Sequence, residues 1–302
     1  MGCNITFVGT GMIGAGLAAN AILRDFSVTL FVRGEAKEKA LRGTLEKIFG
    51  ILIDAGAAKR ADVDAKMAKV KFCYDMAESV KGADFVQESV SEAIDLKHKT
   101  YRTIQESAGK DVIICSSTSA LFPSKLSEGA LYPENILVGH PYNPSYLLPL
   151  IEVCGGPTGS AAAIEKAKEV YTAMGKVPII CRQEINGFIV NRLSWAALEA
   201  AKESVGKDIC SVDDMDKAIM FGPGMRMAVT GQLLTMSLGV DGGFREMDAK
   251  YGKPLDPLNL KIADGIDEAL AGRPQEQGNT PAEVELWRDK MFVQILKLHG
   301  LL

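Results

Sequence analysis

The sequence of 302 residues predicts an α/β domain with a doubly wound parallel sheet, followed by a smaller all-helical domain. Short apolar runs rich in β-branched residues alternate with helical stretches through residues 1–184. A glycine-rich turn, Gly9–Gly14, separates the first strand from the first helix, and strand-like runs stop after about residue 185. Strands separated by helices form parallel sheets with right-handed crossovers. We therefore predict a Rossmann-type domain over 1–184 and a helical domain over 185–302.

The runs of the first domain have the length and composition of strands. They are residues 3–9, 27–32, 69–75, 83–90, 112–118, 136–140, 148–153 and 177–182. Between the second and third runs, residues 36–56 place apolar side chains at helical spacing, with Leu41, Leu45 and Leu52 on one side. This pattern predicts a helix that packs on the sheet, as a crossover between parallel strands requires.

The second domain has helical spacing throughout. Its predicted helices cover residues 187–205, 213–221, 225–238 and 281–299. Thr280 precedes the last of these as an N-cap, and Pro281 occupies the first helical position, where the missing N–H has no partner to lose. The final helix is therefore predicted to begin at residue 281 and to be amphipathic.

Composition excludes several classes of protein. The net charge of −4 gives no basic footprint for nucleic acid. No uncharged run looks like a membrane span. The six cysteines, at positions 3, 73, 115, 154, 181 and 210, form no CxxC pair, so we expect neither a zinc site nor a disulfide framework. Scattered reduced thiols instead predict a cytoplasmic protein without a bound metal.

The turn GTGMIG has the spacing GxGxxG at the end of a strand and the start of a helix. Gly9 allows the tight turn, Gly11 lets a pyrophosphate approach the backbone, and Gly14 lets the helix pack on the strand. The helix N-terminus adds free N–H groups and the positive end of its dipole. We therefore predict that this turn, including Met12 and Ile13, binds a dinucleotide cofactor.

The end of the second strand indicates which dinucleotide is bound. An Asp or Glu there would bond the ribose 2′-hydroxyl of NAD, but Val32 fills that position and Arg33 follows. A guanidinium suits a 2′-phosphate because it donates charge-assisted hydrogen bonds from a planar group. Alternatively, Arg33 stacks on the adenine or is a solvated loop cation. Because the acid is missing, we predict NADP as the preferred cofactor, with NAD as the alternative.

One of the three histidines, His140 in GHPYNP, precedes an acid, Glu152 in LIEV, by twelve residues. An imidazole supported by a carboxylate is a general base that works near neutral pH. Glu152 lies in an apolar strand, where a carboxylate needs a partner. The two residues are therefore a candidate acid/base pair. A histidine satisfied within the core is the alternative for His140 taken alone.

Six segments together resemble one family. They are VGTGMIGAGLAAN, FVQESVSEAIDLK, ICSSTSALFPSKL, GHPYNPSYLLPLIEV, EINGFIVNRL and FGPGMRMAVTGQLLTM, spread over residues 5–240. The chain resembles the 3-hydroxyacyl-CoA dehydrogenase superfamily, and most of all its branch of L-carnitine dehydrogenases and λ-crystallin (L-gulonate 3-dehydrogenase). The segment VTLFVRGEAK instead resembles the second strand of NADP-dependent reductases. Most members of the superfamily carry an acid there and use NAD.

The resemblance implies a catalytic set of four residues. His140 would take the proton from the substrate hydroxyl as hydride leaves the carbon, and Glu152 would fix the tautomer of its ring. Ser119 and Asn191 would hydrogen-bond the reacting oxygen of the substrate. Ser119 could instead cap the next helix, and Asn191 could bond the backbone of its own helix.

The same resemblance implies three further contacts to the cofactor. Glu92 and Lys97 match residues near the nicotinamide and its ribose, and Asn143 matches a residue that orients the carboxamide. Lys97 is alternatively one more solvated cation on the helix LKHKTYR.

The substrate is only broadly indicated. Carnitine would need an aromatic cage for its trimethylammonium group, and the GPGxRW segment of that branch is GPGMRM here, with Met227 in place of tryptophan. Arg226 stands in this motif where it can pair with a substrate carboxylate. We predict interconversion of a small free 3-hydroxy acid and its 3-keto acid. Oxidation of a 3-hydroxyacyl-CoA by NAD is the alternative.

A second class of protein also fits the resemblance. A non-catalytic crystallin-like or dinucleotide-binding protein would keep the fold without turnover, but such a protein need not retain the full catalytic set. The family resemblance further implies a homodimer, with the helical domain serving dimerisation and completing the substrate cleft.

Overall fold

The computed structural model describes residues 2–302 and divides them into two compact units. The first unit ends at Ala196, and the second runs from Ala197 to Leu302. The first unit contains the sheet, and the second is built from helices. This boundary falls inside a helix, twelve residues beyond the sequence-based division at 184/185, which stays a prediction.

Across residues 2–302 a single sheet has eight strands, in the order β3-β2-β1-β4-β5-β6-β7-β8. The strands are β1 (Asn4–Val8), β2 (Ser27–Phe31), β3 (Lys71–Cys73), β4 (Phe85–Glu88), β5 (Ile113–Ser116), β6 (Ile136–Pro141), β7 (Leu150–Cys154) and β8 (Val177–Cys181). All the predicted strands are present, and their ends shift by at most two residues. The doubly wound architecture is therefore confirmed.

One pair of strands departs from the predicted parallel arrangement. β7 runs antiparallel to β6, while every other neighbouring pair in the described chain is parallel. The reason is the short connection at residues 142–149, since a parallel crossover needs about a dozen residues or more. The sheet is therefore mostly parallel, with one hairpin near its edge.

Helices cover both faces of the sheet in the first unit. They are α1 (Met12–Leu23), α2 (Glu35–Asp54), α3 (Arg60–Met67), α4 (Met76–Ser79), α5 (Ile94–Ala108), α6 (Pro123–Leu126) and α7 (Ala161–Ala173). Two apolar clusters result, one containing Phe7 from β1 and the other containing Val8 from the same strand. Successive residues of β1 thus enter opposite layers, as expected for a strand buried on both sides.

The second unit continues the chain as a series of helices. They are α8 (Val190–Gly206), which begins in the first unit, α9 (Val212–Phe221), α10 (Pro223–Thr230), α11 (Gln232–Leu238), α12 (Met247–Lys250), α13 (Pro257–Ala271) and α14 (Pro281–Leu298). Thr280 caps α14 in a reciprocal arrangement with Glu283, so the predicted start of this helix is confirmed. The stretch predicted as one helix over 225–238 is divided at Gly231, whose φ of +69° breaks the helical path.

Within residues 2–302, none of the helices is long and apolar enough to cross a membrane. The same residues contain no group of His, Cys, Asp and Glu side chains arranged to hold a metal ion. All six cysteines of the described chain are free thiols.

Candidate active site

The glycine-rich turn joins the end of β1 to the start of α1. Gly9 has a φ of +96°, and a Cβ there would collide with the backbone of Ser89. A Cβ on Gly14 would collide with the carbonyl of Gly9, so both positions require glycine. Gly11 is the N-cap of α1, and apart from its chain neighbours no other atom lies within 4 Å of the position that a Cβ would take there. A pyrophosphate fits this space, because the first N–H groups of α1 are available there.

A cavity of about 360 Å³ extends from this turn past the ends of β2 and β4. Apolar and small polar side chains form most of its wall, and its charged lining residues are Arg33 and Lys37. The neighbouring acid Glu38 accepts hydrogen bonds from Tyr74 (2.7 Å) and Arg42 (2.8 Å). The hydrogen bond from Tyr74 is the main cause of the lowered pKa of Glu38. The cavity therefore presents cations to a ligand, while this carboxylate is already paired.

His140 and Glu152 are direct partners across the antiparallel pair β6–β7. Nδ1 of His140 lies 2.7 Å from Oε2 of Glu152, and both side chains are buried. With the Nδ1 proton donated to the carboxylate, Nε2 carries the lone pair that can accept a proton. The predicted pairing of these residues is therefore present in the structure, held by the register of two strands.

The other oxygen of Glu152 binds the start of α8. Oε1 accepts hydrogen bonds from the backbone N–H groups of Ile189 (2.8 Å) and Val190 (3.1 Å). A carboxylate suits this position because helix N-termini have free N–H groups and a positive dipole end. Asn191 is the second residue of the same helix. One carboxylate thus holds both His140 and the first turn that carries Asn191.

The first turn of α8 has a second attachment to the sheet. The hydroxyl groups of Tyr142, directly after β6, and Ser194 lie 2.9 Å apart. Phe188, just before the helix, packs on His140 with a distance of 5.5 Å between ring centroids. The segment that leads into α8 is therefore fixed against the end of β6.

Lys97 is buried rather than solvated. It is 1% exposed, and its Nζ lies 2.8 Å and 3.0 Å from the two carboxylate oxygens of Glu88 at the end of β4. Ser116 and Tyr101 also donate to Glu88, and burial raises the pKa of Tyr101 well above its usual value, with the charge of Glu88 contributing. Nζ is also 3.4 Å from Glu92, a predicted cofactor residue. Lys97 therefore belongs to a buried charged cluster beneath Glu92, which excludes the solvated-cation alternative.

Comparison with known proteins identifies the family. Residues 4–185 match the family described as 3-hydroxyacyl-CoA dehydrogenase, NAD binding domain. The chain belongs to the 3-hydroxyacyl-CoA dehydrogenase family. Residues 187–279 match the C-terminal domain of the same family. The predicted resemblance is confirmed, and the chain is a nicotinamide-dependent dehydrogenase.

The relatives include several L-carnitine dehydrogenases. That of Pseudomonas putida is 36% identical, with the match covering 96% of this chain and 92% of the relative. That of Bacillus cereus is 32% identical over 97% of this chain and 91% of the relative. Among solved structures, a 5-formyl-3-hydroxy-2-methylpyridine 4-carboxylic acid 5-dehydrogenase, described as an NAD+-dependent dismutase, has a TM-score of 0.73 at 25% identity and covers 99% of both chains. The chain therefore belongs near the carnitine dehydrogenase branch of the family.

Ser119, which the family pattern places at the reacting oxygen, lies exposed in a bend after β5. Ser119 does not cap the next helix, α6, whose N-cap is Phe122 and has no side-chain hydrogen bond. The hydroxyl of Thr118 accepts hydrogen bonds from the N–H groups of Ala120 (3.2 Å) and Leu121 (2.9 Å), and donates to Glu92. Ser119 thus remains available to a ligand, and its catalytic role stays a prediction.

Two other predicted residues lie at exposed positions. Asn143 is the second residue after β6, so it is close in the chain to His140. Arg226 is on α10, in the second unit. Their contacts to cofactor and substrate stay predictions.

Two buried residues were not predicted from the sequence. Glu88 ends β4 and gathers Lys97, Tyr101 and Ser116 around it. Lys176, before β8, is 5% exposed. A charged residue at the end of a buried strand, as at Glu88, was the available signal, whereas Lys176 resembles any lysine that follows a helix.

Proposed function

We propose that the chain interconverts a 3-hydroxy acid and the corresponding 3-keto acid, with NADP as the preferred cofactor and His140 as the general acid/base. The observation that carries the proposal is the buried contact of 2.7 Å between His140 Nδ1 and Glu152 Oε2. His140 stands near the carboxyl end of β6, and the glycine turn follows the carboxyl end of the parallel strand β1. Ligands of doubly wound sheets bind at this edge.

When the 3-hydroxy acid is oxidised, Nε2 of His140 accepts the proton of the substrate hydroxyl. The bound cofactor supplies the hydride chemistry at its nicotinamide. The carboxylate of Glu152 stabilises the imidazolium that forms and holds the ring in the tautomer required. Ser119 and Asn191 donate hydrogen bonds to the oxygen that becomes the carbonyl. In the reverse direction His140 returns the proton to that oxygen.

The preference for NADP is supported by the charges of the cavity. Arg33 and Lys37 line it where the adenosine ribose would lie, beside the end of β2. Val32 occupies the position of the acid that would bond the 2′-hydroxyl of NAD. Two exposed cations can bind a 2′-phosphate with charge-assisted hydrogen bonds.

The names of the relatives and the residues of this chain both indicate a 3-hydroxy acid as substrate, but they differ on the trimethylammonium group of carnitine. The relatives are L-carnitine dehydrogenases, and carnitine is itself a 3-hydroxy acid. Met227 in place of tryptophan weakens the case for a trimethylammonium group, whereas Arg226 keeps a cation for the carboxylate. A small free 3-hydroxy acid is therefore the proposed substrate, and a 3-hydroxyacyl-CoA oxidised with NAD is the second candidate.

Fluorescence titration with NADPH and NADH in parallel, followed by steady-state assays, tests the proposal. We expect tighter binding of NADPH and turnover of small 3-keto acids. Tighter binding of NADH together with turnover of 3-ketoacyl-CoA would favour the second candidate. Binding of either cofactor without turnover of any 3-keto compound would favour a non-catalytic dinucleotide-binding protein.

A homodimer in the cytoplasm is also part of the proposal. Every residue of α9 is at least partly exposed, including Val212, Ile219 and Phe221. An apolar helix face of this kind is typical of an interface between subunits. Six free thiols agree with a reducing compartment. Sedimentation velocity over a range of concentrations should give twice the mass of one chain, and a monomer at all concentrations would contradict the dimer.

A further inference from the structure

Lys176 is a buried cation that the proposed chemistry does not use. It lies between α7 and β8, and only 5% of its surface is exposed. Its Nζ donates hydrogen bonds to the backbone carbonyls of Ser145 and of Leu148, the latter at 3.2 Å. Burial lowers its pKa to about 8. Burying an ammonium group costs free energy unless hydrogen bonds offset the cost. The groups that Lys176 binds therefore indicate its role.

Both carbonyls belong to residues 142–149, the loop between β6 and β7. This loop is also bound to α1 from its other side. The hydroxyl of Ser145 donates to the carbonyl of Ile13 (3.1 Å), and the amide of Asn20 donates to the carbonyl of Tyr146 (3.1 Å). A Cβ on Gly16 would collide with the hydroxyl of Ser145, so helix and loop are in close contact. The loop is therefore held between Lys176 and the helix that begins at the glycine turn.

The chemistry of a lysine explains why this residue stands here. Backbone carbonyls that point into a protein need donors, and a loop has no neighbouring strand to supply them. An ammonium group offers three N–H donors at one point and so can satisfy both carbonyls of the loop. An apolar side chain of the same length would fill the space but leave both carbonyls without these bonds.

We propose that Lys176 is a positioning residue that sets the affinity for the nicotinamide half of the cofactor by fixing the loop 142–149 on α1. The loop carries Asn143, the residue predicted to orient the carboxamide, and it joins His140 to Glu152. This inference rests on the proposed function. Lys176 would affect cofactor binding by holding the loop in place, without contacting the cofactor.

The test compares Lys176→Met with the parent by isothermal titration of two ligands. One ligand is NADPH, and the other is 2′-phospho-ADP-ribose, which lacks the nicotinamide. We expect the affinity for NADPH to fall by roughly tenfold or more, the size typical of lost hydrogen bonds from a charged group, with the affinity for 2′-phospho-ADP-ribose unchanged. If the parent prefers NADH, the same comparison uses NADH and ADP-ribose.

Lys168→Met is the matched control, because Lys168 is a half-exposed lysine of α7 paired with Glu165 at 3.0 Å. It should leave both affinities unchanged. Ser145→Ala loosens the loop from the side of α1 and should show the same selective loss, so it decides the question if Lys176→Met fails to fold. Equal losses for both ligands, or no loss for either, would overturn the inference. A parent that binds neither nicotinamide cofactor would instead contradict the proposed function.

Discussion

The ionisable groups at the two ends of the proposed cofactor site differ in how they are held. At the adenosine end, Arg33 and Lys37 are exposed and line an open cavity. At the reaction end, His140, Glu152 and Lys97 are buried and bound to fixed partners. Exposed cations are free to bind a charged ligand, whereas buried groups are oriented by folding before any ligand arrives. Substitutions of Arg33 and Lys37 should therefore change cofactor affinity, whereas substitutions of these three buried groups should change rate or stability.

The largest effect is expected at His140. His140→Ala should lower kcat by roughly 10²–10⁴-fold, because a positioned acid/base group contributes about that much. The dissociation constant of the cofactor should stay close to that of the parent. His98→Ala is the matched control, since His98 is half-buried and bonds the carbonyl of Lys125 at 2.8 Å. Activity of His140→Ala within a few-fold of the control would remove His140 from the mechanism.

Next in size is the buried pair formed by Lys97 and Glu88. Lys97→Met leaves the carboxylate of Glu88 without its cation in the interior, which should lower the free energy of unfolding by about 3–5 kcal/mol. Urea denaturation measures this change. The control is Lys81→Met, because the pair Lys81–Glu78 is 59% exposed on both sides and should contribute nothing measurable. If the two variants lose similar amounts of unfolding free energy, burial does not make the Lys97–Glu88 pair more important for stability than the exposed pair.

Glu152 should affect the rate through two residues. In Glu152→Gln a single amide oxygen cannot accept bonds both from His140 and from the start of α8, so kcat should fall by roughly 10²-fold. Combination with Asn191→Ala then tests the link to the helix in a double-mutant cycle. We expect a coupling energy of about 0.5–3 kcal/mol in kcat, because Glu152 acts partly through Asn191. Strictly additive losses would mean that the helix is placed without the carboxylate.

The smallest effect is expected at the exposed end. Arg33→Ala should raise the KM for NADPH by roughly ten- to a hundredfold, as expected for hydrogen bonds to a charged group, with little change for NADH. Lys39→Ala is the control, since Lys39 is an exposed lysine of α2 outside the cavity lining. Equal changes for the two cofactors would show that Arg33 does not bind the 2′-phosphate.

Sequence predicts best what local pattern determines. The glycine turn is recognised because its GxGxxG spacing between a strand and a helix is local, although the contact that excludes a side chain at Gly9 comes from Ser89, after β4. The start of α14 is equally local, since Thr280 and Glu283 cap it within a single turn. The pairing of His140 with Glu152 is predicted from a histidine followed by an acid in an apolar strand, and the family resemblance supports it. The register that places the two strands side by side has no local signal.

Other features depend on tertiary structure and have no local signal. The direction of β7 follows from the length of a loop, whereas its apolar pattern is the same in either direction. Lys97 lies on a helix rich in cations, and only the position of Glu88 shows that it is buried. The second bond of Glu152 likewise needs the start of α8 to be known. The direction of β7 and these two contacts all depend on segments that are distant along the chain or lie in different elements.

The hairpin β6–β7 has a consequence for how this site can change in evolution or by design. His140 and Glu152 face each other because of strand register, so one inserted residue inside β7 would turn the carboxylate to the opposite side of the sheet. Insertions of two residues would preserve the side but displace the acid along the strand. The pair therefore depends on the whole hairpin: transferring both strands with their loop would keep it, whereas insertion of a single residue in β7 would separate the two side chains.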